Sequence, residues 1–145
     1  MPVRAPSEKR VGYLLADVSR LLRRDFDRRV RDLEITQAQW RAIAQLVRDE
    51  GINQVTLAER LEMRPITIAR LIDRMQAAGW VKRTTDANDR RASLLFLTPK
   101  AKPILDELEV HAEEAVETLL AGIPRSARKS LIETLERMKE NLTHD

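Results

Sequence analysis

Apolar residues recur at helical spacing over three long stretches of the chain, one near the N-terminus and two near the C-terminus. Spacings of three and four residues place such side chains on one face of a helix. The pattern predicts one long helix over about residues 8–34 and two more over about residues 99–142. Gly122 is expected to end the first of these two, and Pro103 is expected to bend it because proline lacks a backbone N–H.

We call the segment between these stretches, about residues 36–98, the central lobe. Its first half contains two capping boxes. Thr36 and Thr56 each stand three residues before a Gln or Glu side chain that can reach back to the backbone. The first box predicts a helix over residues 37–49, and the second predicts a short helix over residues 57–61. The side chains expected to point inward from the earlier helix are Trp40, Ile43, Ala44 and Val47.

A longer helix is predicted from Pro65 to Ala78, because Pro65 suits a first helical position and Gly79 suits the turn after a last one. Its apolar stripe consists of Ile68, Leu71, Ile72 and Met75. Its opposite face carries Ile66, Arg70, Asp73, Arg74 and Ala77, with Thr67 and Ala69 at its edges. A short helix, a three-residue turn and a longer helix with a basic outer face form a helix-turn-helix, whose second helix enters a DNA major groove. The alternative is an ordinary surface hairpin with solvated arginines.

Two short apolar segments, residues 80–84 and 93–98, predict a β-hairpin directly after this helix. The turn between them is rich in Asp and Asn and ends in Arg90 and Arg91. A hairpin beside a helix-turn-helix is a wing, and cations at its tip can follow the narrow minor groove, where the negative potential is strongest. The alternative is a solvated loop with incidental charge.

Several motifs of the central lobe occur together in one family of proteins. They are Leu57-Ala-Glu-Arg-Leu61, Thr67-Ile-Ala-Arg70, Leu71-Ile-Asp-Arg74, Ala78-Gly-Trp-Val81, Arg83, and Asp89-Arg-Arg91 followed by Leu97-Thr98. This set resembles the MarR/SlyA family of bacterial winged-helix regulators, and the resemblance covers nearly the whole chain. It implies a single domain over residues 1–145 that is mainly α with a small β-wing: a winged helix-turn-helix DNA-binding lobe plus long N- and C-terminal dimerisation helices. One departure is Ala69, where many members carry Thr.

The resemblance and the residue types together predict a homodimeric transcription regulator that binds pseudo-palindromic double-stranded DNA. Base edges are expected to be read by Ile66, Thr67 and Arg70, beside Pro65 at the helix start, and phosphates to be contacted by Arg64 and Arg74. Arg90 and Arg91 are expected to enter or flank the minor groove, with Asp89 orienting Arg91 by a charge-assisted bond. The apolar stripes of the long helices exceed what a small lobe can cover, which favours a dimer over a monomeric bundle.

Charge is segregated along the chain of 145 residues, although the net charge is only +3. Residues 60–104 carry ten Lys and Arg against four Asp and Glu, whereas residues 105–145 carry five against ten. The positive charge therefore coincides with the predicted helix-turn-helix and wing, where a polyanion would bind. The alternative function is a winged-helix protein-interaction module that docks an acidic partner.

A small-molecule effector is implied by the resemblance alone. Members of the family bind phenolic carboxylates between their dimerisation helices and their DNA-binding lobe. Arg20 and Trp40 occupy matching positions, where they would supply a cation and an aromatic wall for a phenolic or other aromatic carboxylate. Their alternative roles are a surface arginine and a core tryptophan, and His111 is a further candidate.

The sequence argues against catalysis, a cofactor and a metal site. It has no cysteine, which excludes disulfides and thiolate ligands, and its two histidines lack the spacing of metal ligands. Its four glycines form neither a phosphate loop nor a dinucleotide-binding motif. No apolar run has the length of a membrane span and no leader is visible, so we expect a cytoplasmic protein that is not an enzyme.

Overall fold

The computed structural model describes residues 7–143, which form six α-helices and one β-hairpin. The helices are α1 (Arg10–Arg29), α2 (Gln37–Arg48), α3 (Gln54–Arg60), α4 (Pro65–Ala77), α5 (Lys102–Leu120) and α6 (Arg125–Thr143), and the strands are β1 (Val81–Thr85) and β2 (Ser93–Leu97). This architecture confirms the prediction of a mainly α fold with a small wing. The ends of the domain predicted over residues 1–145 lie outside the described residues.

The hydrophobic core lies in the central lobe, between α2, α3, α4 and the hairpin. The predicted inner stripe of α4 is confirmed, because all four of its side chains are buried. Burial of an aliphatic side chain of this size stabilises the fold by about 1.5–3 kcal/mol. The largest fully buried side chains are Val30, Leu46, Leu57, Ile68, Ile72, Met75, Val81 and Leu95.

The wing is a two-stranded antiparallel hairpin whose second strand, β2, is also held by the loop that precedes α3. The register pairs Val81 with Leu97 at the base of the hairpin. The backbone N–H of Gly51 donates to Leu95 over 2.8 Å, and the N–H of Leu95 donates to Ile52 over 3.0 Å. The base of the wing is therefore fixed to the helix-turn-helix by backbone bonds.

Helix α2 confirms its capping box but presents a different inner face from the predicted one. The Thr36 hydroxyl accepts from the backbone N–H of Gln39 over 3.1 Å. Trp40 and Ile43 are buried as predicted, whereas Ala44 is exposed and Val47 is 62% exposed. The other buried side chains of α2 are Ala42 and Leu46. Because α2 is apolar on two sides, its sequence alone did not determine which side faces the core.

Helix α3 begins three residues earlier than its predicted capping box, so the start after Thr56 is wrong. Its N-cap is Asn53, whose side chain accepts from the backbone N–H of Val55 over 2.8 Å. Asn53 also forms a β-bridge with Leu94. The chain therefore turns directly from that bridge into the helix, and Thr56 lies inside the first turn.

The first long helix is shorter than predicted, because α1 ends at Arg29. Val30 is fully buried in the core of the lobe, and a short 3-10 turn, Arg31–Leu33, follows it. Glu34 then adopts a left-handed backbone conformation with φ of 54°. The helix therefore ends four residues before its apolar pattern does, because Val30 is anchored in the core and the chain then reverses toward α2.

The prediction that Pro103 lies one turn inside the helix and bends it is wrong, because the segment begins as a 3-10 turn and becomes α-helical only just before Pro103. Pro99–Ala101 form a 3-10 turn, and α5 begins only at Lys102. Pro103 therefore lies in the first turn of α5, where its missing N–H removes no helical hydrogen bond. The end of α5 agrees with the prediction, since Gly122 follows it with φ of 78°.

Three helices expose apolar faces that the rest of the described chain does not cover. Among residues 7–143, α1 and α6 contain no buried residue at all, and α5 contains only Leu108 and Ala115. The large exposed apolar side chains are Val11, Tyr13, Leu14, Leu15, Val18 and Leu21 on α1, Val110, Val116 and Leu119 on α5, and Leu131, Ile132, Leu135 and Leu142 on α6. None of the described helices combines the length and apolar character needed to cross a membrane.

Candidate nucleic-acid interface

A tight turn between α3 and α4 sets the direction of α4. Glu62 adopts a left-handed conformation with φ of 53°, and the backbone N–H of Met63 donates to Ala58 over 2.9 Å. Pro65 then occupies the first turn of α4, where its fixed φ suits a helix and its missing N–H is no loss. The turn leaves the N-terminal end of α4 at the surface.

The outer face of α4 is exposed to solvent, as its sequence predicted. Because the inner stripe is buried in the core, the opposite side chains point to solvent. Ile66 is 58% exposed. The predicted contact residues on this helix and at its start, all exposed, are Arg64, Pro65, Ile66, Thr67, Arg70 and Arg74. This surface combines guanidinium, hydroxyl and apolar groups, which match the donors, acceptors and methyl groups of a major groove.

The tip of the wing is built on two side-chain-to-backbone hydrogen bonds. Asp86 accepts from the backbone N–H of Asn88 over 2.9 Å, and Asp89 accepts from the backbone N–H of Arg91 over 3.0 Å. The charge-assisted bond predicted between Asp89 and Arg91 is present, and its donor is the Arg91 backbone N–H. Asp89 shapes the turn, and the side chains of Arg90 and Arg91 are both exposed.

Arg83 on β1 connects the wing to both helices of the helix-turn-helix. Its Nε donates to Gln54 over 3.0 Å, one terminal nitrogen donates to Asp73 over 2.6 Å, and the other donates to the carbonyl of Ala69 over 2.9 Å. Sequence reasoning did not assign this residue a role of its own. An arginine at a half-buried strand position usually has hydrogen-bond or ion-pair partners, and this was the available indication of its role.

The acidic groups of this region are largely engaged within it. Asp73 is paired with Arg83, and the carboxylates of Asp86 and Asp89 accept from backbone N–H groups of the turn. The exposed arginines on α4 and on the wing tip therefore dominate the outward charge. Such a surface attracts a polyanion through long-range electrostatics.

A groove lies between the central lobe and the long helices, and its lining residues belong to α1, α2 and α5. It has a volume of about 620 Å³ and is mostly apolar. Its lining residues, which define the α2–α5 groove, are Leu22, Arg23, Phe26, Trp40, Ile43, Ala44, Val47, Arg48, Leu105, Asp106, Leu108, Glu109, Ala112, Ala115 and Val116. Trp40 lies in it as predicted, but Arg20 does not. Arg20 instead lies 3.6 Å from Asp17 at an exposed position on α1.

The Trp40 ring is held in a fixed orientation. Its Nε1 donates to Asp27 over 3.1 Å, and its ring packs edge-on against Phe26 with 4.6 Å between the ring centroids. The tryptophan is only 8% exposed, so it serves the core and also forms part of the groove wall. The position of Trp40 therefore fits both a core tryptophan and an aromatic wall of a ligand site.

An ionic cluster fastens α1 to α5 beside this groove. Arg29 donates to Asp25 over 2.7 Å and to the Thr118 hydroxyl over 2.8 Å. The hydrogen bond from Arg29 holds the pKa of the Asp25 carboxyl below its usual value. Glu114 belongs to the same cluster, because it lies 3.5 Å from Arg29. Nδ1 of His111 also lies 3.5 Å from Glu114, outside the α2–α5 groove. Within residues 7–143, no group of three His, Cys, Asp or Glu side chains is placed to hold a metal ion.

Comparison with known proteins identifies the family. The MarR family model matches residues 35–93. The transcriptional regulator PA3341 is 35% identical over 91% of this chain and 97% of its own, with a TM-score of 0.79. A MarR-family regulator from Silicibacter pomeroyi is 27% identical over 93% and 92%, with a TM-score of 0.80. BpsR from Bordetella bronchiseptica, whose DNA binding is regulated by 6-hydroxynicotinic acid, is 23% identical over 90% and 98%, with a TM-score of 0.72. The chain therefore belongs to the MarR family of transcriptional regulators.

Proposed function

We propose that this chain is a homodimeric DNA-binding transcription regulator that recognises a pseudo-palindromic duplex site. The observation that carries the proposal is the exposed outer face of α4 beside an exposed, arginine-tipped wing on the same rigid lobe. Helix α4 enters the major groove, where Ile66, Thr67 and Arg70 contact base edges. Arg64 and Arg74 contact phosphates, and Arg90 and Arg91 follow the minor groove.

The uncovered apolar faces of α1, α5 and α6 support the homodimer. Monomeric proteins rarely expose large contiguous apolar patches, and a two-fold partner can cover the same patch on both copies. With the long helices joined, the two α4 helices face one side of the duplex. Half-sites about one helical turn apart then fit the two-fold symmetry of the protein.

The α2–α5 groove is the proposed effector site, and its ligand is a small aromatic carboxylate. Arg23 and Arg48, rather than Arg20, are the cations available at its wall, and Trp40 supplies an aromatic surface. The related fold of BpsR, which responds to 6-hydroxynicotinic acid, supports this ligand class. Regulation requires the ligand to bind one spacing of the two lobes more tightly than the other.

Selection of bound duplexes from a random pool tests the proposal directly. We expect an enriched sequence with two-fold symmetry, and we expect 6-hydroxynicotinic acid or a related aromatic carboxylate to change its affinity. The alternative module that docks an acidic protein would bind no duplex, even at low salt. Absence of salt-sensitive affinity for random duplex DNA would therefore favour that alternative.

Arg70→Ala is expected to relax specificity at one base position in each half-site. A good bidentate arginine–guanine contact contributes about 1–3 kcal/mol of discrimination. Binding to single-base variants of the selected duplex measures this effect. The matched control is Arg74→Ala in the same helix, which should weaken binding equally on all sequences. Equal weakening by Arg70→Ala would remove Arg70 from base recognition.

Arg91→Ala is expected to make the salt dependence of DNA binding shallower. Each lost phosphate contact lowers the slope of log affinity against log salt concentration by roughly one unit. Titration of a fluorescent duplex at several salt concentrations gives the slope. Arg137→Ala on α6 serves as the control, because this exposed arginine is remote in sequence from the wing. An unchanged slope for Arg91→Ala would exclude that side chain from the interface.

A further inference from the structure

We propose that Arg83 is a positioning residue that fixes the wing relative to α4, so that both elements bind one duplex in a single register. This role rests on the proposed DNA binding. Arg83 acts by setting the position of the wing relative to α4, not by contacting DNA itself. Without such a connection, α4 and the wing would bind as two loosely joined units.

The contacts of Arg83 join three elements through one rigid group. Arg83 belongs to β1, which leads into the wing, and its Nε donates to Gln54 at the start of α3. One terminal nitrogen donates to both Asp73 and Gln76 of α4, over 2.6 and 3.0 Å. The other terminal nitrogen donates to the Ala69 carbonyl of α4 over 2.9 Å. The planar guanidinium thus constrains both the position and the rotation of α4.

This arrangement differs from an ordinary surface ion pair. Exposed pairs contribute little, because solvent screens them and both side chains remain mobile. Here the Arg83 side chain is only 24% exposed, and most of its donor groups have partners in the protein. A lysine could supply the charge but not the fork of donors in a fixed plane. The geometry therefore suits positioning better than a simple contribution to stability.

The position of Asp73 adds a second reason for the connection. Asp73 lies on the outer side of α4, and its side chain is 66% exposed. A free carboxylate there would repel phosphate, whereas the ion pair with Arg83 balances its charge. The acidic residue on the recognition surface thereby becomes part of the attachment between α4 and the wing.

If Arg83 positions the wing, the contributions of Arg91 and of α4 to DNA affinity should be coupled. With the wing fixed, the energy that Arg91 gains from DNA adds to the binding energy of α4. With the wing free, each contact must be made at the cost of ordering the hairpin, so Arg91 gains less. The effect of Arg91→Ala should therefore depend on whether Arg83 is present.

A double-mutant cycle of Arg83→Met and Arg91→Ala tests the proposal with the full-length protein. The probe is the duplex selected by the wild-type protein from a random pool. If Arg91→Ala lowers the affinity about tenfold in the wild-type background, it should lower it less than about twofold in the Arg83→Met background. Equal losses in both backgrounds would overturn the positioning role, because a purely structural defect leaves the two effects additive.

The matched control is Lys82→Met, which removes a cation from the neighbouring strand position. Lys82 lies over the Phe96 ring and is not among the groups that Arg83 joins. Its effect should add to that of Arg91→Ala. Non-additivity of the same size in this control would overturn the assignment to Arg83.

A second variant keeps the proposal testable if Arg83→Met does not fold, which thermal unfolding reports. Asp73→Ala removes the 2.6 Å charge-assisted contact and leaves the guanidinium with its other partners. It should reduce the effect of Arg91→Ala by a smaller factor, and full additivity would contradict the role. A wild-type protein that binds no duplex would overturn the proposed function itself, whereas binding with additive losses would overturn only the role of Arg83.

Discussion

Leu135→Glu, on the exposed apolar face of α6, is expected to convert the proposed homodimer into monomers and to lower DNA affinity at least about 100-fold. A two-fold interface contains every substitution twice, and burial of an unpaired carboxylate costs several kcal/mol. A monomer also loses the simultaneous binding of two half-sites, which raises affinity by about 10²–10⁴ when the geometry fits. Light scattering after size exclusion gives the mass, and titration of the selected duplex gives the affinity.

The same carboxylate on another face of α6 provides the control. Ser130 is exposed and lies away from the apolar stripe of Leu131 and Leu135 at helical spacing. Ser130→Glu should leave the protein dimeric. If Leu135→Glu remained a dimer at micromolar concentration with undiminished DNA affinity, α6 would not belong to the dimer interface.

Ile72→Ala is expected to lower the free energy of unfolding by about 2–5 kcal/mol, because it leaves a cavity in the core beneath α4. Ile72 is fully buried. Most small domains are stable by only about 5–15 kcal/mol, so this loss is a large fraction of the total. Urea unfolding at one fixed protein concentration measures the change, since the stability of the proposed dimer depends on concentration.

Ile66→Ala is the matched control, since it removes the same atoms from the same helix. Ile66 points outward and is 58% exposed. Its truncation should change the free energy of unfolding by no more than about 0.5 kcal/mol. It should nevertheless weaken binding to the selected duplex, because the side chain belongs to the proposed recognition surface. Equal losses of stability for the two variants would contradict the assignment of inner and outer faces on α4.

The helix-turn-helix and the wing were predictable because their signals are local. Pro65 and Gly79 delimit α4 within one residue of its observed end, and the spacing from Ile68 to Met75 selects its buried face. The two strands follow from short apolar segments on either side of a turn rich in Asp and Asn. Each of these features depends on residues only a few positions apart, so the sequence contains the whole signal.

Other predictions failed where a distant contact overrode a local preference. Thr56 has the spacing of a capping box, but pairing of Asn53 with β2 starts α3 earlier. The apolar pattern of the first helix continues past Arg29, but burial of Val30 ends the helix there. In both cases the energy gained by packing or pairing exceeds the preference of the isolated segment.

The sequence by itself determined the family, the order of helices and strands, and which face of α4 is exposed, because these depend on motifs and on periodicity along the chain. Only the tertiary structure decided that Arg83 joins β1 to Ala69 and Asp73, and that Arg23 rather than Arg20 lines the groove beside Trp40. Residues far apart in sequence meet only when whole elements pack, and a few degrees of helix rotation decide which side chain reaches a neighbour. No local pattern records that rotation, since it is set by the fit of all the buried side chains together.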